Sequence, residues 1–184
     1  MRRYILTGTP GCGKTAILRQ LEIDGFSTVE EAATDVIALR QACGAAEPWT
    51  DPSFIDAVLD LQKRRQMRSA HEPGETQFHD RSAVCTAALA MYLGYSKSAA
   101  LMRELVHIQD AAIFEKQVFF IGNLGFVAHT EARRISFEES LRFERMHEEA
   151  YLSLGFELVY VEPGSVADRV SAITSALRAF NAAT

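Results

Sequence analysis

The residues best equipped for chemistry stand near the start of the chain. Gly8-Thr9-Pro10-Gly11-Cys12-Gly13-Lys14-Thr15 satisfies the pattern G-x-x-x-x-G-K-[ST] at every fixed position. Glycines let a backbone turn tightly enough for successive N–H groups to point into one concavity, which suits phosphate oxygens. A helix that starts there adds its positive end. Lys14 would set a compact charge against the β- and γ-phosphates, and the Thr15 hydroxyl could ligate Mg²⁺. All eight residues are therefore expected to hold a nucleoside triphosphate, ATP or GTP, with magnesium. Cys12 reads as a small filler inside the loop. The alternative is a thiol made acidic by the helix terminus, able to brake nucleotide binding when oxidised.

Further reactive groups fall where strands give way to helices. Asp80 and Arg81, in Phe78-His79-Asp80-Arg81-Ser82, suit a magnesium-holding carboxylate and a phosphate-seeking guanidinium. The competing role for Asp80 and Ser82 is helix capping. Glu30 and Glu31 end an earlier strand, and one of them, with Glu31 preferred, could serve as a general base or hold a metal-bound water. First-turn acids also simply stabilise helices. Arg133, with Arg134, precedes an acidic helix, and could neutralise transition-state charge from a lid. Val118 to Ile121, an apolar run that would commonly end in an acid, runs instead into Gly122-Asn123. His107 and His129 are isolated and read as structural or surface residues.

Positioning these groups falls to alternating short apolar runs and longer amphipathic ones. Strands are expected over 3–7, 27–30, 76–79, 118–121 and 157–161. Helices are expected over 14–21, 32–42, 54–67, 82–93, 99–109, 137–154 and 166–180. Residues 44–52, with their prolines and glycine, read as a loop. Five strands joined by helical crossovers predict an α/β fold: a three-layer α/β/α domain on a doubly wound parallel sheet, with ligands at the strands' carboxyl ends. One domain over 1–184 is expected, with 44–69 as an insert on the acceptor side and 130–150 as the lid region.

The chain has 184 residues, of which 48% are hydrophobic and 23% charged, enough to bury one sizeable core. A formal net charge of −5 gives no global pull toward nucleic acid or anionic lipid, so nucleic-acid binding is not expected. The three cysteines, Cys12, Cys43 and Cys85, show no metal-ligand spacing and point to reduced thiols in the cytoplasm. No apolar run approaches a membrane span.

Together the P-loop, Val29-Glu30-Glu31-Ala32-Ala33, Asp80-Arg81-Ser82, Arg133, and an acidic helix ending in Tyr151 before Gly155-Phe156 resemble a known family. It is the small predicted-ATPase family of AAA domains related to the ribosylnicotinamide kinase domain, within the nucleoside and nucleotide kinase branch of P-loop proteins. The likeness runs over nearly the whole chain. It implies a five-stranded parallel sheet with the P-loop strand near its centre, ATP or GTP with Mg²⁺, an acid at Glu31 and an Asp-Arg pair at Asp80 and Arg81. Two positions depart from the pattern: Thr34 stands where an arginine often follows Glu-Ala-Ala, and Gly122 replaces an acid.

The expected function is a phosphotransferase acting on a small, nucleoside-like or other hydroxyl acceptor. Lys14, Glu31, Asp80, Arg81 and Arg133 are its candidate catalytic residues, and Thr15 and Asp80 its metal ligands. The alternative is a nucleotide-dependent regulatory ATPase or switch that acts through a protein partner, for which the missing acid after Ile121 argues. No Asn-Lys-x-Asp motif marks guanine. Homo-oligomerisation is left open.

Overall fold

A computed structural model of the chain describes residues 1–71, 74–124 and 136–182. Its centre is β1 (Arg2–Thr7), whose run Tyr4, Ile5 and Leu6 is fully buried. Alternate residues of that run enter different cores. Tyr4 and Leu6 meet α1 (Lys14–Ile23) and α7 (Val166–Ala182), while Ile5 faces the opposite layer. A strand packed on both faces is apolar where it is covered, as Tyr4, Ile5 and Leu6 are.

The remaining strands are β2 (Ser27–Val29), β3 (Thr76–Asp80), β4 (Gln117–Ile121) and β5 (Glu157–Val161), and all pair in parallel in the order β2-β3-β1-β4-β5. The P-loop strand is thus the middle one of five, as the family resemblance implies. Its neighbours are β3 and β4, and the register sets Leu6 opposite Asp80 and Thr7 opposite Phe120. Those two pairings decide which side chains stand beside the loop.

The second layer holds α2 (Ala33–Ala42), α3 (Ser53–Ser69), α4 (Ala83–Tyr92), α5 (Ala99–Asp110) and α6 (Phe137–Ser153). Local signals explain their starts. Ser82 caps α4 by accepting from the Val84 N–H, and Ser136 with Glu139 forms a reciprocal capping box on α6. The stretch expected to be a loop, 44–52, carries one short 3₁₀ turn at Pro48–Thr50 that buries Pro48. Other boundaries agree with the sequence reading to within two residues. No helix among the described residues is long and apolar enough to cross a membrane.

Candidate functional site

The loop after β1 needs glycine at two places for steric reasons. Gly8 has φ 133°, and a Cβ there would lie 2.5 Å from the Ile121 carbonyl oxygen. Gly13 has φ 88° and heads α1. Only a residue without a side chain combines that backbone with that proximity. Lys14 is buried and folds back over the loop, its Nζ donating to the Gly8 and Thr9 carbonyls at 3.2 and 3.0 Å. Cys12 is buried beneath, with Sγ 3.6 Å from that ammonium, and fills the underside of the loop.

On the β3 flank, charge accumulates. Asp80 is 4% exposed, and its Oδ1 has no hydrogen-bond partner among the described residues. Burial pushes its carboxyl up to about 6, against the pull of Lys14. Arg81 follows with φ 74°, a left-handed conformation that costs a non-glycine residue roughly 1–2 kcal/mol. Its N–H donates to the Leu6 carbonyl at 3.0 Å, which ties this strained turn to β1. The guanidinium lies between two partners. Nε stands 2.7 Å from Glu31 Oε1 in a close charge pair whose alignment falls short of a hydrogen bond. Nη1 donates to His147 Nε2 at 3.0 Å. Burial, and then Arg81, drives the His147 imidazole down to about 3, so the ring is neutral and its Nδ1–H donates to the Phe143 carbonyl at 2.9 Å.

Glu31 is the acid of β2's end that enters this cluster. Burial works to raise its carboxyl, but Arg81 and then Lys14 outweigh burial and hold it below the usual carboxylate range. Thr34 donates to Glu31 Oε2 at 2.9 Å, so the residue that departs from the family pattern orients this carboxylate. Arg65 of α3 clamps the turn from beneath by donating to the Glu31 carbonyl and pairing with Asp35. Glu30 points the other way and pairs with Arg19 on the surface.

These groups open into one cavity of about 630 Å³. One end is made of Pro10, Gly11, Gly13, Lys14 and Thr15, and the charged middle of Asp80, Arg81 and Glu31. The far end is aromatic, with Trp49, Phe54, Tyr92 and Phe143. A polar pair interrupts that end: Thr86 donates to Gln62 Oε1 at 2.7 Å, and Gln62 Nε2 donates to the Ser82 carbonyl at 3.3 Å.

The β4 flank is unlike this. Gly122 donates its N–H to the Val161 carbonyl, and a Cβ there would meet that oxygen at 3.0 Å and Pro163 Cδ at 3.1 Å. Tight backbone packing is the physical reason no acid stands after β4. Asn123 follows, its Nδ2 at 3.4 Å from both Thr9 Oγ1 and Ser140 Oγ. Glu144 of α6 comes to the same place, where burial, and then Glu148, raises its carboxyl.

Of the residues singled out in the sequence, Lys14, Thr15, Glu31, Asp80 and Arg81 meet around the cavity. Arg133, Arg134 and His129 lie outside the described residues. His107 is exposed at the end of α5. Sequence reasoning passed over His147 and gave Tyr151 only as the end of the acidic helix in the family resemblance, yet Tyr151 is fully buried and bonds Ser82 Oγ at 2.9 Å and Cys85 Sγ at 3.0 Å. Phe143, His147 and Tyr151 recur every four residues along α6, so polar atoms interrupt its buried stripe, and that was the available signal. Gln62 was similarly visible, because it continues the Phe54, Val58 spacing of α3 at a place where an apolar residue is expected.

Sheet order and loop together define the class: a P-loop motif on a five-stranded parallel α/β domain, with the motif's strand in the middle. A family model described as an AAA domain matches residues 3–169, and the chain belongs to that family. A search of curated proteins finds no match. Among solved structures, the chain is similar to deoxyadenosine kinase from M. mycoides with products dCMP and a flexible dCDP bound. The TM-score is 0.66 at 14% identity, over 96% of this chain and 99% of that one. It is also similar to NadR in complex with NAD and AMP-PNP, with a TM-score of 0.66 at 15% identity, over 95% of this chain. A second NadR structure, in complex with NR, gives a TM-score of 0.64 at 16% identity, over 95% of this chain and 50% of that one. The chain therefore spans about half the length of NadR, which it covers to 49% in the first complex.

Proposed function

We propose that this protein is an ATP- or GTP-dependent phosphotransferase whose acceptor is a small nucleoside-like molecule presenting a hydroxyl group. One observation carries the reading: the P-loop and an aromatic-lined recess are two ends of a single cavity, with Glu31, Asp80 and Arg81 between them. A donor on the loop and a flat acceptor in the recess would bring their reacting atoms to that charged middle, where positioning and charge neutralisation do most of the catalytic work. The likeness to deoxyadenosine kinase and NadR supports the same assignment. Residues 44–69 serve as the acceptor-side insert in this reading, and Glu47, Trp49, Phe54 and Gln62 line the recess. Of the expected lid region, 130–135 lie outside the described residues, and 137–150 belong to α6, which is packed in the second layer.

The residues present suit magnesium. Asp80 Oδ1 is buried without a hydrogen-bond partner among the described residues, and Thr15 lines the same cavity. No group of three or more His, Cys, Asp or Glu side chains gathers among the described residues. A cation here would take Asp80, Thr15, phosphate oxygens and water, which is the habit of Mg²⁺. Bound there, it would draw charge from the β- and γ-phosphates. Lys14 releases its loop carbonyls to meet the phosphates, and Glu31 accepts the acceptor's hydroxyl hydrogen bond. Arg81, steadied by neutral His147, offsets charge on the transferring group. Arg133 is proposed to add a second guanidinium.

The regulatory-switch alternative rested on the missing acid after β4. Asp80 supplies an acid from the other strand that flanks β1, so no observation favours the switch. Nucleosides, ribosides and sugars screened against ATP and GTP consumption test the proposal. The right acceptor is expected to accelerate consumption strongly, and Lys14→Ala to abolish it. Turnover that responds only to a protein partner would replace the phosphotransferase with the switch.

A further inference from the structure

Arg169 of α7 lies behind the P-loop, away from the cavity. It is 3% exposed, and its Nη2 donates to the Gly122 carbonyl at 3.1 Å. Its Nη1 is 2.9 Å from where a Cβ on Gly13 would stand, so the guanidinium presses on the loop at the start of α1. Nε has no partner among the described residues. The adjacent acid, Asp168, is turned away and accepts from Ser165 Oγ at 2.6 Å. A thin shell covers the group, and burial lowers its proton affinity against a small opposing influence of Cys12. Guanidinium nonetheless stays charged at any ordinary pH.

Covered arginines normally meet a carboxylate, because a charge shut off from water without a counter-charge is unfavourable. Arg169 meets one carbonyl and the back of an anion cradle. Two explanations compete. In one, it is an anchor that holds the turn after β4 to α7. In the other, its counter-charge arrives with a ligand. The open Nε and the contact at Gly13 favour the second, since an anchor needs neither.

We infer that Arg169 is a nucleotide-binding residue, a second fixed positive charge for the polyphosphate of a nucleoside triphosphate, delivered from the side opposite Asp80. The inference rests on the reading of Gly8 to Thr15 as the triphosphate site. Phosphates on the loop amides would sit within the field of Lys14 in front and Arg169 behind. Gly13 is then doubly constrained, by its backbone and by the need to let this guanidinium approach.

Titration calorimetry of ATP and of inorganic tripolyphosphate onto the wild type, Arg169→Met and Arg169→Lys tests this, together with thermal melts without ligand. Arg169→Met is expected to weaken both ligands by about tenfold or more, as loss of a charge-assisted contact does. Arg169→Lys should recover a large part of that loss, because the charge remains. Ligand-free Arg169→Met should melt no lower than the wild type, since it removes a covered charge that has no counter-ion among the described residues. Equal affinities for wild type and Arg169→Met would overturn the inference, as would a loss confined to ATP and absent for tripolyphosphate. If Arg169→Met fails to fold, Arg169→Lys decides: retained affinity supports the charge, whereas lost stability with weakened binding supports the anchor. A wild type that binds neither ligand would instead remove the P-loop reading beneath it.

Discussion

The two flanks of β1 are built on different principles. On the β3 side, strand end and helix start part to leave a cavity, and Asp80, Arg81, Glu31 and neutral His147 form a charged cluster around it. On the β4 side, Gly122 is pressed between Val161 and Pro163, and backbone meets backbone. Both strands run parallel to β1 and end beside the same loop. An acid can stand only where there is room for its carboxylate and a counter-charge to hold it. The β3 strand end meets both conditions; on the β4 side the nearest acid, Glu144, comes instead from α6 beside Asn123 and Thr9.

That asymmetry is testable at its charged centre first. Asp80→Asn is expected to lower magnesium-dependent turnover by roughly 10²-fold or more, as loss of one preorganised electrostatic group does. The ligand-free wild type should lose stability as pH rises through about 6, where Asp80 ionises. A carboxyl raised to about 6 in the fold binds its proton more tightly than in the unfolded chain. Its contribution is therefore present below the unfolded value and lost as pH rises through about 6. Ligand-free Asp80→Asn should accordingly exceed the wild type at pH 7.5 by on the order of 2 kcal/mol in urea unfolding. An Asn variant that is both active and no more stable would contradict the role given to this flank.

Gly122→Asp probes the other side by placing an acid where the chain lacks one. It should cost about 1–3 kcal/mol of stability through overpacking. It should not rescue turnover in an Asp80→Asn background. Recovered turnover in the double variant would show that either flank can serve.

His147→Gln is the mildest probe. The imidazole, held down to about 3, binds its proton less tightly folded than unfolded. Its stability contribution is present above the unfolded value and lost as pH falls toward about 3. Replacing it should flatten the acid limb of a stability profile by at most about 1.4 kcal/mol per pH unit. Part of the slope remains with His79, also driven down to about 3 by burial, and with the lowered carboxyl of Glu31. Turnover should fall by about tenfold, as Arg81 loses the acceptor that steadies it.

Strand runs, helix periods and caps foretold the fold closely, because each is a local property. The P-loop was legible for the same reason: its geometry is made by eight adjacent residues. Asp80 and Arg81 were legible as a strand end next to a helix cap. Between Glu30 and Glu31 the sequence pointed to Glu31 without settling the matter. The selection depends on Arg65, Thr34 and Arg81, which come from three different elements. Nor does spacing along α3 foretell that Lys63 pairs with Glu104 at 2.9 Å while Arg65 holds the Glu31 turn.

By itself, the sequence determined an α/β chain with a P-loop motif after its first strand, since nearest-neighbour sterics and hydrophobic period suffice for both. Only tertiary structure decided that β3 and β4 flank that loop, that an acid ends one strand and not the other, and that His147 reaches the charged cluster and Arg169 the back of the loop from distant helices. The physical reason is range. Dihedral preference and amphipathic spacing act over a few residues, whereas burial, counter-charge and free volume are set by groups that meet only when the sheet has closed.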